Sequence, residues 1–546
     1  MRAGRYWHTL RHLKPVQFYG RVWFRLHKPR PDASAPPAVR RPSGQWITPA
    51  RREPSLTAPE AFLFLGEHGT LAEVGWDGAE REKLWRYNQH YFDDLNAMES
   101  GGRTVWHTKL LTNWVHNNPP GQGNGWEPYP ASLRIVNWVK WASAGHELPT
   151  HCIQSLAVQV RWLRQRLENH LLGNHLFANA KALVFAGLFF EGAEAERWLA
   201  DGLRILAREV PEQVLSDGGH FERSTMYHAL ALEDMLDLCN LLTRHEPTLT
   251  SAQRECLAQW RKLAERMQHW LHCMCHPDGQ IGFFNDTALG IAPNVQELDA
   301  YASRLGIGQP TKAAACWMKE SGYARLQIQD AVALLDLAPV GPDYLPGHAH
   351  ADTLSFELSV HGHRLLVNSG TSCYGNSAER LRQRGTAAHN TVTINGEDSS
   401  EVWSGFRVAR RAYPFAASVT IDADIQTARC SHDGYTRLPG RPVHERRWEM
   451  KADGLCIEDR VEGRYQSATA RFHFHPDVQL EASPGAQTGH VRLPDGHTVS
   501  WHVCTGQAAI VDTTWHPRFG VSIANKCLEI TLVGGAATLQ LSWAST

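Results

Sequence analysis

Tyr323-Ala324-Arg325-Leu326-Gln327-Ile328, followed by Val332-Ala333-Leu334-Leu335-Asp336, is where this chain changes its period. Strand side chains alternate every two residues, whereas helix side chains recur every three to four. Before this stretch, from about residue 80 to 310, the spacing is helical. Ser132 to Val139, Ser155 to Leu172, Ala178 to Phe190 and Tyr227 to Leu242 carry it, with few β-branched runs. After it, Phe356 to Val360, Arg364 to Val367, Thr391 to Ile394 and Cys527 to Val533 read as strands. Turns at His361-Gly362-His363, Asn395-Gly396 and Pro494-Asp495-Gly496 separate them. The expected fold is α+β in two domains. Paired helices of a length that closes into a ring around a cleft precede a large β-sandwich. The expected divisions are a basic amphipathic segment at 1–30, a proline-rich arm or linker at 31–75, a helical domain at 76–315 and a β-domain at 320–546.

A chain of 546 residues exceeds what one hydrophobic core supports. Its 55 basic and 56 acidic residues nearly cancel, so bulk charge offers no attraction for nucleic acid. No apolar run reaches the roughly 18–20 residues of a membrane span. Twenty tryptophans exceed ordinary usage; most are expected in the core, and the surplus suits a carbohydrate cleft. Eleven cysteines lack the spacing of a zinc knuckle or a disulfide framework, and read as free thiols. The first thirty residues hold Arg2, Arg5, Arg11, Lys14, Arg21, Arg25, Lys28 and Arg30 before the first acid, Asp32. Trp7, Leu10, Phe18, Val22, Trp23 and Leu26 are interleaved with them. The segment lacks the apolar stretch and cleavage site of a standard secretory signal. It reads either as a peripheral contact with an anionic membrane or as a helical hairpin docked on the protein itself.

Gly347-His348-Ala349-His350-Ala351-Asp352-Thr353-Leu354-Ser355-Phe356 places two histidines and an aspartate at alternating positions, one face of an expected strand. Such a triplet can ligate a metal or move a proton. Val367-Asn368-Ser369-Gly370 and Ala388-His389-Asn390-Thr391 follow it. In the helical half, Tyr87-Asn88-Gln89-His90-Tyr91, Trp126-Glu127-Pro128-Tyr129, Gly173-Asn174-His175-Leu176 and Asp217 to His228 are polar where a plain core would not be. Taken alone, Asn174 reads as a helix cap. Together these residues supply the parts for β-elimination on a uronic-acid polymer. An amide or cation binds the C5 carboxylate, a base takes the C5 proton, and an acid protonates the departing oxygen. Hydrolysis needs two facing carboxylates instead, for which Asp93, Asp94, Glu127, Asp217 and Glu222 are candidates. Arg380, Arg382 and Arg384 offer guanidinium forks for carboxylate or sulfate, or else form a solvated loop.

The motifs Leu84 to Asn88, Trp126 to Trp138, Asn174-His175-Leu176 with Asn179, Asp217 to His228, His348 to Phe356 and Ala388 to Thr391 resemble the heparinase II/III-like polysaccharide lyases in order and spacing. The resemblance covers about 80 to 450 and implies an incomplete (α/α) toroid followed by an antiparallel β-sandwich. It implies that Asn174 neutralises the substrate carboxylate with His175 beside it, that Tyr227 is the acid and also a candidate base, and that His348 is the base across the cleft. Tyr87, Trp126, Glu222, Arg380 and Arg384 are the expected substrate contacts. The family's structural zinc maps onto His350, Asn368 and His389, with Asn where the family has Asp. An amide is a weaker ligand than a carboxylate, and the alternative is a hydrogen-bonded network around His348. The expected partner is an acidic polysaccharide; the resemblance points to the cell envelope or periplasm, and the free thiols and missing secretory signal to the cytoplasm as the alternative. A non-catalytic glycan-binding or assembly protein on the same fold is the rival.

Overall fold

A computed structural model describes residues 2–308, 313–483 and 485–544. Two helices, α1 (Arg2–Leu10) and α2 (Pro15–Leu26), open the chain as a hairpin. An extended arm then crosses the helical domain. Val39 bridges to Phe190, and the Asn240 side chain clasps both backbone groups of Ile47. The predicted arm ends sooner than expected. From Leu56 the chain folds into a small antiparallel sheet, β1 (Leu56–Ala58), β2 (Ala61–Phe64) and β3 (Glu67–Thr70). Alternation in Ala61–Phe64 buries Phe62 and Phe64 against Trp76 and Trp85, which is why this part does not stay a linker.

The helical domain comprises α3 (Leu71–Val74), α4 (Lys83–Tyr91), α5 (Thr104–Asn117), α6 (Pro128–Ser143), α7 (Thr150–Gln165), α8 (Gly173–Phe189), α9 (Ala193–Gln213), α10 (Thr225–Arg244), α11 (Ser251–Cys273) and α12 (Val295–Arg304). They form the incomplete toroid. Helix α8 is apolar nearly all round and is accordingly buried along most of its length. The helical reading of Ser155 to Leu172 was too long: α7 stops at Gln165. Beyond it, the Asn179 side chain of α8 accepts the Glu168 backbone N–H at 2.8 Å and so holds the connecting turn.

The expected boundary at 310–322 lies partly outside the described residues; the first strand after it begins at Cys316. Strands β4 (Cys316–Met318), β5 (Tyr323–Ile328), β6 (Ala331–Asp336), β7 (Phe356–Val360) and β8 (His363–Leu366) make an antiparallel meander. An eight-stranded and a four-stranded antiparallel sheet complete the sandwich. Phe356, Trp448, Phe472, Trp501 and Leu539 fill its core. The two domains share a further apolar cluster, in which Trp270, Cys273 and Met274 meet Tyr323, Val332 and Leu334.

Residues 348–352 are not a strand; β7 begins only at Phe356. Their backbone groups are claimed by loop partners instead. The His350 N–H donates to Asn285 Oδ1, the Ala351 N–H donates to the Arg384 carbonyl, and the His348 carbonyl accepts from the Asp286 N–H. A segment held in this way cannot also form a ladder.

Candidate active site

Both domains contribute to one polar cluster. Ser224 caps α10 by accepting the Tyr227 N–H, while its own hydroxyl donates to the Asp286 carbonyl. Thr225 donates to the Gly282 carbonyl. The start of α10 is thereby fixed to the loop 282–287, and Tyr227 stacks on His348 with ring centroids 3.9 Å apart. The Tyr227 hydroxyl meets the Tyr374 hydroxyl at 3.1 Å. Burial, reinforced by Tyr374, holds the Tyr227 phenol well above its ordinary range, so it carries its proton.

Asp286 organises the sandwich side. It is fully buried and accepts from His348 Nδ1 at 2.9 Å, His350 Nε2 at 2.9 Å and Arg380 Nη2 at 2.7 Å. Burial alone would raise its carboxyl, but Arg380 and the two histidines hold it well below the usual carboxylate range. With Nδ1–H donating to this carboxylate, His348 directs its other nitrogen, Nε2, as an acceptor. That nitrogen lies 3.9 Å from Glu222 Oε2.

Glu222 is 2% exposed, and neither carboxylate oxygen has a hydrogen-bond partner among the described residues. Burial raises its pKa, against the opposing pull of His348 and His175. Its Oε1 sits against Gly173, where an added Cβ would lie 3.2 Å away. Helix α8 starts at that glycine without a side-chain cap: Leu172 and Gly173 take φ of 64° and 55°. Asn174 is therefore not the cap; it stands in the first turn, half-buried, and its side chain makes no hydrogen bond among the described residues. A free amide beside the unpaired N–H groups of a helix start is suited to an anion. His175 Nδ1 meets Glu168 Oε1 at 3.1 Å, and its ring packs on Tyr129. Burial opposes its charge, but Glu168 outweighs that and raises the pKa. Tyr87, half-buried, donates to Glu127 further along the toroid wall.

Several expected contacts have other work. Trp126 is buried in the toroid core, donating to the Asn118 carbonyl at 3.1 Å. Arg380 and Arg384 are fully buried rather than lining a groove. Arg380 is paired with Asp286, and Arg384 donates to the carbonyls of Ala349, Ser404 and Gly405. Asp94 is consumed by Arg103 and His107, and Asp217 by Ser321. His350 Nδ1 and His389 Nε2 face each other at 3.0 Å. The third expected zinc ligand, Asn368, accepts the Asn390 N–H at 3.0 Å and donates to the Phe283 carbonyl at 3.0 Å. Among the described residues no group of three His, Cys, Asp or Glu side chains is arranged to hold a metal. Two imidazole nitrogens and a committed amide fall short of the ligand set of a structural zinc.

Asp286, Tyr374 and Glu168 were missed by sequence reasoning. The signal for Asp286 was a short polar run, Asn285-Asp286-Thr287, between Phe283-Phe284 and Ala288-Leu289. Nothing local marked Tyr374, which reaches Tyr227 across 147 positions.

Comparisons with known proteins agree with this architecture. The family model described as heparinase II/III N-terminus matches residues 100–302, and heparinase II/III-like, C-terminal matches 310–544. A heparin-sulfate lyase of Bacteroides stercoris is 27% identical over 252 residues, 42% of this chain and 37% of that protein. The chain thus matches well under half the length of this curated lyase. FtsZ-localized protein C of Caulobacter vibrioides is 24% identical over 580 residues, covering 97% of this chain and 94% of that protein. A crystal structure of heparinase III superposes with a TM-score of 0.66 at 17% identity, covering 87% of this chain and 80% of that one, which shows the shared fold. With both halves matched in order and the same fold in both domains, the chain belongs to the heparinase II/III-like family.

Proposed function

We propose that this protein is a polysaccharide lyase cleaving a uronate-containing glycan by β-elimination. The carrying observation is Glu222, with one oxygen against the start of α8 and the other facing His348 Nε2. It joins the anion-binding end of the cluster to the proton-transfer end. In this reading the Asn174 amide and the helix start bind the C5 carboxylate and favour the developing enolate. His348 Nε2 removes the C5 proton, and the C–H electrons form the C4–C5 double bond. The C4–O bond breaks, and the Tyr227 phenol, which carries its proton, protonates the leaving oxygen. His348 Nδ1–H on Asp286 supports the imidazolium formed. Glu222, its pKa raised by burial, is placed beside His348 to contact a substrate oxygen. The heparin-sulfate lyase named among the relatives supports the reaction class. Hydrolysis is disfavoured because Asp94 and Asp217 are engaged in structural pairs.

Incubation with a panel of uronate polymers, read as ultraviolet absorbance of the unsaturated product, tests this. Tyr227→Phe and His348→Ala are each expected to lower turnover about a hundredfold or more while leaving the fold intact. Wild-type rates in Tyr227→Phe would remove the proposed acid. A non-catalytic glycan-binding or assembly role is the second reading, since the name of the relative matched over 97% of this chain, FtsZ-localized protein C, states a localisation rather than a reaction. Binding of a uronate polymer without unsaturated product would select it, and new reducing ends without unsaturation would select hydrolysis.

A further inference from the structure

The hairpin α1–α2 is seated on the protein by one face and bare on the other. The seated face is specific. Gln17 is buried and donates to the Tyr344 carbonyl at 3.1 Å, and Gly20 lies against His170. The Arg166 guanidinium covers the Phe24 ring at 3.6 Å and bonds the Phe24 carbonyl. Thr9 accepts from the Trp403 indole at 3.1 Å, and Tyr6 packs on the same ring. These contacts tie the hairpin to the toroid through Arg166 and His170, and to the sandwich through Tyr344 and Trp403. The segment therefore docks on the protein, as one of its two expected readings had it, and keeps a second face free.

The free face is apolar and aromatic. Trp7 is 65% exposed, Tyr19 65%, Val22 59%, Trp23 64% and Leu26 76%. On α2, residues 18, 19, 22, 23 and 26 fall on one side, because helical neighbours recur at three and four. Arg5, Arg11, Arg21, Arg25, Lys28 and Arg30 flank this row, and none has a carboxylate within ion-pair distance among the described residues. Unpaired cations bordering exposed indoles and leucine match the boundary of an anionic bilayer, where aromatic rings lie at headgroup level and basic side chains meet phosphate. A second copy of the chain is a poor occupant, since it would bring the same unpaired cations face to face.

We propose that the α1–α2 hairpin is a preformed docking surface for an anionic lipid bilayer. The hairpin lies flat on the surface rather than crossing it; no helix among the described residues is long and apolar enough to cross a membrane. The inference does not depend on the reaction proposed above.

Flotation of the full chain with vesicles tests it. With phosphatidylglycerol–phosphatidylcholine vesicles the protein is expected to float. With phosphatidylcholine alone it is expected to remain in the dense fraction. Binding is expected to weaken in salt, as the screening length falls from about 8 Å at physiological strength to about 3 Å at 1 M. Arg25→Ala and Lys28→Ala should each weaken binding about fivefold. Trp7→Glu combined with Trp23→Glu should abolish it with an unchanged melting curve. If that variant unfolds, the two charge variants decide by themselves. The proposal is overturned if the wild-type protein stays dense with the anionic vesicles, or if the folded variants float as well as it does. It is also overturned if anionic vesicles recruit nothing and light scattering shows a dimer that the tryptophan variant loses, which assigns the face to a second copy.

Discussion

At the scale of single residues, neighbours decide what each polar group in this cluster can do. Glu222 is the clearest case. Its folded pKa lies above the ordinary value of 4.5 because burial penalises the charge. The sign follows by linkage. Below about pH 4 both folded and unfolded states are protonated there and nothing is lost. As pH rises through the unfolded value, the unfolded chain releases its proton first, and folding stability falls. Glu222→Gln removes that loss, so its melting temperature is expected to exceed the wild-type value at pH 8, with the margin closing toward pH 4. An equal margin at both pH values would mean the carboxyl ionises freely. Asn368 yields a second expectation. With its amide bonded to Asn390 and Phe283, the folded wild-type protein is expected to purify without stoichiometric zinc. Elemental analysis showing one zinc per chain would show that His350 and His389 recruit further ligands.

At the scale of elements, the site depends on where two helices begin. Helix α10 was legible as a helical period over Tyr227 to Leu242, but its cap, Ser224, was supplied only by the structure. Helix α8 does not use the cap that Asn174, taken alone, suggests. Asn174 has the right chemistry for an N-cap but falls two residues late, because Leu172 and Gly173 turn through positive φ first. Gly173 is hard to replace for two reasons. Its φ of 55° disfavours a side chain, and an added Cβ would lie 2.3 Å from the Leu345 side chain. Gly173→Ala is expected to lower stability by about 1–2 kcal/mol or more, read from urea unfolding, and to displace Asn174. An unchanged midpoint would mean that the helix start relaxes without cost. The expected strand at 348–352 failed for a comparable reason. Alternation in sequence is necessary for a strand, but the ladder also requires free backbone partners, and Asn285, Asp286 and Arg384 already hold them.

At the scale of the whole molecule, the cluster exists only where the two domains meet. Asn174, Glu222 and Tyr227 come from the toroid, whereas His348 and Tyr374 come from the sandwich. The Asp286–Arg380 pair is buried across the same junction, and Trp270 with Tyr323 and Leu334 adds an apolar contact. An apolar junction of this kind couples the domains, so calorimetry is expected to show one unfolding transition. Two resolved transitions would mean that the toroid and the sandwich unfold independently.

The sequence by itself determined the two architectures and their order, since hydrophobic period is a local property that survives without any contact being known. It also determined which short polar motifs were out of place in a core: Asn174-His175, Glu222 to His228, and His348 with His350. Only the tertiary structure decided which of these polar groups remain available. Arginines at 380 and 384, and the indole at 126, carry side chains suited to a glycan yet are buried at the junction or in the core. Glu222, with the same outward chemistry as the engaged Asp94 and Asp217, is left without a hydrogen-bond partner among the described residues. The physical reason is that burial and pairing arise from contacts over many tens of positions, such as Asp286 with Arg380 or Tyr227 with Tyr374. Residue type states what a group can do; only the packed fold states whether a neighbour has already used it.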